Sequence, residues 1–186
     1  MEAAVVTPVF IFIVLATMEL LFMLHGYLKV TGATGQAIRA VTVSGSDPDT
    51  DYVAMQSLLH GLAGFDPSAI RQIVVYEASG AGSEVPFGCR SVPIPSGLPC
   101  NGYVGEDLYL PYIDSGGTLT GNWGCGLGAR DENWCPTGRE SSISAPGGPD
   151  HVGVYVKVEL PSLTGILGSS RTIGVNRVAR IEPMSN

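Results

Sequence analysis

The side chains able to do chemistry in this chain of 186 residues are few, and their spacing narrows what that chemistry is. Cys89, Cys100, Cys125 and Cys135 all fall in the part of the chain richest in glycine and proline. They form no C-x-x-C pair, so zinc or dithiol redox chemistry would need an unusual ligand spacing. An even count in an irregular region behind an apolar leader reads instead as disulfides, and disulfides imply an oxidising compartment. Of the three possible connectivities, the sequential one closes the shortest loops, which makes Cys89–Cys100 and Cys125–Cys135 the expected bridges. His25, His60 and His151 stand in no metal-ligand spacing. Asp47, Asp49 and Asp51 alternate like the opening of a calcium loop, but Tyr52 stands where such a loop needs glycine and Leu58 where it needs glutamate. Helix capping is the better reading of that run. There is no G-x-S-x-G, no P-loop and no dinucleotide fingerprint, so the chain reads as a non-enzyme, with no cofactor and no metal.

The elements that must carry these residues start with an apolar run from Ala3 to Leu24. At ~1.5 Å per residue it is long enough to cross ~30 Å of bilayer hydrocarbon. Helical spacing continues through Tyr27, Val30, Thr34, Ala37, Ile38 and Val41, now on one side only. One helix of roughly 40 residues is the simplest account. Pro8 falls in its first turns, where a missing N–H costs least. Glu19 is the one charge in the run beyond Glu2. It reads equally as a carboxylate reaching the interface and as a subunit contact. Gly26, Gly32 and Gly35 mark a bend or a close approach of helices. No basic n-region and no small-x-small site accompany the run, so a cleaved secretory signal is not expected.

Behind residues 1–25 the remaining 26–186 are enough for one globular head. With 10 Lys and Arg against 17 Asp and Glu, a net charge of −7, the chain lacks the footprint of a nucleic-acid binder. Ser46-Asp47-Pro48-Asp49 opens a second helix, expected from Pro48 to Leu62, with Tyr52, Met55, Leu59 and Leu62 as its apolar stripe. Ile70 to Tyr76 reads as a strand. Residues 80–150 hold 15 of the 25 glycines and 8 of the 13 prolines and read as a loop-rich insert stapled by the cysteines. Tyr103, Tyr109, Tyr112, Trp123 and Trp134 are expected to form a satellite core around the disulfides. From His151 to Leu160 strict alternation puts Val152, Val154, Val156, Val158 and Leu160 on one face. Arg171 to Ile181 returns as a strand in which Val178 is out of phase with Ile173 and Val175, so a bulge is expected near Asn176. Three antiparallel strands on the stripe Tyr27, Val30, Thr34, Ala37, Ile38 and Val41 give an α+β head.

In Glu2-Ala3-Ala4-Val5-Val6-Thr7-Pro8-Val9-Phe10, Glu19-Leu20-Leu21-Phe22, Thr31 to Ala40, Val154 to Glu159 and Arg177 to Pro183, the chain resembles the TadE-like pilins of the tight adherence (Tad) pilus system. The resemblance covers about the first 45 and last 35 residues. It implies a pilin-like α+β fold: a long helix, apolar in its first half, packed on a small antiparallel sheet, here with a disulfide-stapled insert. It also implies a structural subunit that waits in the membrane, is handled by pilus assembly machinery and polymerises as a homo-oligomeric extracellular filament. Assembly would run through Glu2, Val9, Phe10, Ile13, Val14, Glu19 and Leu21. Family members carry a glutamate at the fifth mature position. Glu2 matches it by its surroundings, which would place three residues ahead of Met1. A minor pseudopilin of the same system, and a single-pass anchored module that binds a ligand through the insert, remain the alternatives.

Overall fold

The computed structural model describes residues 2–111, 122–162, 164–165 and 168–183, with side chains described from Val6 onward. Helix α1 runs unbroken from Glu2 to Ser44, through Pro8. Residues with hydroxyls cost it little, because Thr17 donates to the Ile13 carbonyl and Thr34 to the Val30 carbonyl, each at 2.8 Å. It stops at Gly45, whose φ of 57° no β-carbon-bearing residue adopts cheaply and whose N–H closes on the Val41 carbonyl at 2.9 Å.

Helix α2 (Thr50–Gly61) returns antiparallel in sequence sense to pack on α1, and the two meet closely at Gly61. A β-carbon there would stand 2.5 Å from that of Ala33. The helix is shorter at both ends than Pro48 to Leu62, and Asp49 at its N-cap makes no side-chain capping bond. The start of the helix is tied down by Thr50 instead, whose hydroxyl donates to the Asp47 carbonyl at 2.8 Å. Its inward face is Asp51, Ala54, Met55 and Leu58, while Tyr52 and Leu59 are only partly buried. Of the expected stripe, Met55 and Leu62 are buried in the core, and the inward face is turned toward Asp51, which has a buried partner, described below.

The sheet has four strands rather than three: β1 (Ile70–Ala78), β2 (Cys100–Tyr103), β3 (His151–Pro161) and β4 (Ser170–Arg180), in the order β2-β1-β3-β4, all antiparallel. Val152, Val154, Val156, Val158 and Leu160 share the inward face as the alternation requires, against Val30, Ala37, Ile38 and Val41 of α1. Thr34 is buried with them, but Tyr27 is 46% exposed and stands outside this contact.

The bulge expected near Asn176 is absent, since β3 and β4 stay in register from His151↔Arg180 to Pro161↔Ser170. The irregularity sits in β1, between Ile70 and Gln72. Val178 is out of phase because the opposite sheet face is also apolar: with Tyr155 it packs on a second core of Val74, Tyr76, Ala78, Val85, Cys89 and Cys100. The first part of the insert therefore covers one face of the sheet and the helices cover the other.

Bridges join Cys89 to Cys100 and Cys125 to Cys135, the sequential pairing. The aromatics do not gather around them. Tyr103 and Trp123 enter the main core, Trp134 packs against it, and Tyr109 is exposed. Tyr112 lies outside the described residues.

Candidate functional site: the apolar end of the spine

From Val9 to Leu15 every residue is exposed. Seven successive residues at ~100° each sweep all sides of a helix, so here α1 has no covered face. Phe10 is 65% exposed and Leu21 60%; Val9, Ile13 and Val14 are exposed with them. The richest window of this helix has a mean hydropathy of 2.2, with only 6% of it buried. Length and composition suit it to cross a membrane, and so large a bare apolar surface calls for lipid or protein around it.

The head takes hold of the spine at Glu19. Upstream of it, among residues 6–18, only Ala16 is even half-buried. Glu19 is 1% exposed. Its carboxylate accepts from the Ser162 and Thr164 hydroxyls, and more weakly from the Thr164 N–H at 3.3 Å. Both residues belong to the β3–β4 connection, so a chain reversal 143 residues away satisfies the one described charge of the apolar run. Sequence reading left Glu19 between the membrane interface and a subunit contact; within the single chain its carboxylate is held by the head. One turn or two below, Leu160 packs onto Gly26, where a β-carbon would stand 2.8 Å from its Cδ1. Gly32 and Gly35 meet nothing within 4 Å, so neither marks a close approach within the chain.

Of the expected assembly residues, Val9, Phe10, Ile13 and Val14 thus lie on the bare helix, Glu19 lies at its lower limit, turned inward, and Leu21 is exposed just past it. Glu2 is the first residue of α1, and its side chain lies outside those described. No group of three or more His, Cys, Asp or Glu is placed to hold a metal among the described residues.

What sequence reading missed is a buried polar cluster joining α2, β2 and the second half of the insert. Arg139 grips both oxygens of Asp51, at 2.7 and 2.8 Å, with neither side chain exposed. The guanidinium stacks 4.1 Å from the Trp134 ring centroid. Asn101 donates to Asp51 at 2.8 Å and receives the Trp134 N–H at 3.0 Å. The partners are separated by up to 88 residues, so no local motif could have signalled them.

Compared with known families, residues 1–39 match the model described as TadE-like protein. No curated protein and no solved structure matches the chain.

Proposed function

We infer, from the match of residues 1–39 to the TadE-like family model, a structural pilin-like subunit that polymerises through its N-terminal helix into a Tad-like filament outside the cell. The observation that carries this reading is the spine itself. One continuous helix, Glu2–Ser44, is bare at its apolar end and built into the head at the other, with no flexible joint between them. An anchored receptor has no need of such rigidity, whereas a subunit whose head must keep a fixed attitude to a polymer core does. Residues 1–25 then serve as membrane anchor before assembly and as filament core after it, and 26–186 as the head. The pilus assembly machinery would act on the membrane-held form.

Within this reading Val9, Phe10, Ile13, Val14 and Leu21 pack against neighbouring helices, and Glu2 supplies the assembly carboxylate. A buried carboxylate needs a cationic or hydrogen-bonding partner, and a neighbour's terminal amine suits it. The test is shearing of surface material from cells that make the protein, with electron microscopy and mass spectrometry of the main band. Filaments containing this chain support the reading. Glu2→Ala and Phe10→Asp should leave the head folded but reduce recovery in the sheared fraction at least tenfold relative to membrane-bound protein. Normal recovery of both variants would remove the assembly role of these residues. Unmodified protein found only in membranes, never in sheared polymer, would favour the single-pass binding module.

A further inference from the structure

A count of protons around Tyr103 reveals a second device, independent of the apolar helix. The Tyr103 hydroxyl lies 2.8 Å from Asp51 Oδ2 and 2.5 Å from Asp131 Oδ1, and all three residues are buried. A phenol carries one hydrogen and can donate to one carboxylate only. The other close oxygen pair therefore needs a proton on a carboxyl group. Burial and the two neighbouring carboxylates push the Tyr103 phenol well above its usual range, so it keeps its own proton.

Asp51 is not the carrier. Its charge is matched by the two-pronged Arg139 contact and by Asn101. Among the described residues Asp131 has no such partner: its Oδ1 meets Tyr103, and its Oδ2 receives the Gly124 N–H at 2.8 Å. The nearby Arg130 guanidinium is bonded to Asp107 at 2.5 Å, and Glu132, the other charge of this loop, is exposed and bonded to the Gly128 N–H. Among the described residues, the charged and titratable groups acting on Asp131 are thus Asp51 from α2, Tyr103 from β2 and Arg139 from the insert, while Asp107 of the turn Gly105–Tyr109 pairs with Arg130 and Glu132 turns to the Gly128 N–H.

We propose that Asp131 holds a proton in the folded head and donates it to Tyr103, which donates to Asp51, and that this relay latches the Cys125–Cys135 loop onto α2 and β2 in a pH-dependent way. The latch has a defined cargo. Next to Gly124 is Trp123, stacked on Tyr103 at 5.6 Å and edge-on to Tyr52 at 5.4 Å, and it would be uncovered when the loop lifts. Burial, foremost, and then the Asp51 charge raise the Asp131 carboxyl from 3.8 to about 6. Because the closed state binds the proton more tightly than the open one, closure is fully favoured below about pH 4 and weakens as pH rises through about 6.

The test uses the full chain in detergent micelles with its disulfides oxidised. Carbon-13 NMR of the aspartate carboxyls should find Asp131 titrating near pH 6. Amide exchange of residues 122–131, referenced to β3, should show opening rise by up to about tenfold per pH unit from pH ~4 to ~6, then level off. Asp131→Asn keeps the donor to Tyr103 and the acceptor for Gly124 without a titrating group, and should flatten that dependence. Tyr103→Phe removes the middle of the relay and should lower the Asp131 midpoint while Arg139 still holds Asp51. An Asp131 carboxyl titrating in the ordinary aspartate range, or an unchanged exchange profile in Asp131→Asn, would overturn the proposal. If Asp131→Asn does not fold, the carboxyl titration of the unmodified chain and of Tyr103→Phe decides.

Discussion

Arg139 and Asp51 show how unequal two ion pairs in one small head can be. Both side chains of this pair are wholly buried, so removing one strands the other's charge away from water. Arg139→Ala should cost about 3–5 kcal/mol of head stability in urea denaturation with disulfides intact. Arg90→Ala should cost less than about 1 kcal/mol, since its partner Glu84 is 86% exposed. Two carboxyls pull the pH dependence in opposite directions. Asp131, with its folded value raised to about 6, contributes stability that is full below the unfolded value and is lost as pH rises through about 6. The shift corresponds to about 3 kcal/mol. Glu159 is held below its usual range by the Ser170 hydroxyl and by Arg71, so its smaller contribution is present above that range and lost in acid. Thermal melts across pH should therefore peak within the ordinary carboxylate range, near pH ~4, fall toward about pH 6 and level off there, and Asp131→Asn should remove that fall.

At the scale of elements, legibility followed periodicity. α1 and β3 could be read because Val30 to Val41 repeat at helical spacing and Val152 to Leu160 alternate strictly. Val178 misled because phase reports a single buried face, and this sheet has two. β2 was invisible: four residues inside an irregular segment carry no pattern, and pairing with β1, as in Tyr76↔Cys100, defines them. The facing of β3 predicts a contrast. Val156→Asp puts a charge on a fully buried position and should unfold the head, while Lys157→Asp, on the other face, should shift the melting temperature by only a few degrees. A second contrast lies between glycines of the helix pair. Gly61→Ala drives a methyl to 2.7 Å from the Ala33 Cα and should cost about 1–3 kcal/mol, whereas Gly32→Ala, with open space, should be neutral or stabilising.

For the whole molecule, the two bridges differ in what they guard. Cys89 and Cys100 are fully buried in the core behind the sheet, while Cys125 is exposed at the surface of its loop. Replacing Cys89 and Cys100 by alanine should lose about 2–4 kcal/mol from the opened loop, plus the packing of both sulfurs. Replacing Cys125 and Cys135 should lose no more than the first part and should act mainly on exchange of residues 122–131. Melting of the two double variants, side by side, measures the difference. The candidate site was half legible at this scale. The bare apolar residues follow from composition, but the reach of the head up to Glu19 depends on a strand connection that no local pattern aligns with α1.

That alignment also has a mechanical meaning. The β3–β4 connection is fastened to the spine at Glu19, and the chain leaving β4 is fastened again where the Glu182 N–H meets the Thr42 carbonyl at 2.9 Å. β4 therefore runs alongside α1 and in the same direction, bound near both its ends. Tension applied along the helix loads this interface in shear, so the contacts between spine and sheet must slip together instead of peeling one after another. A load applied across the axis would meet only the nearest contacts. The molecule is built to be strong along its length and compliant across it.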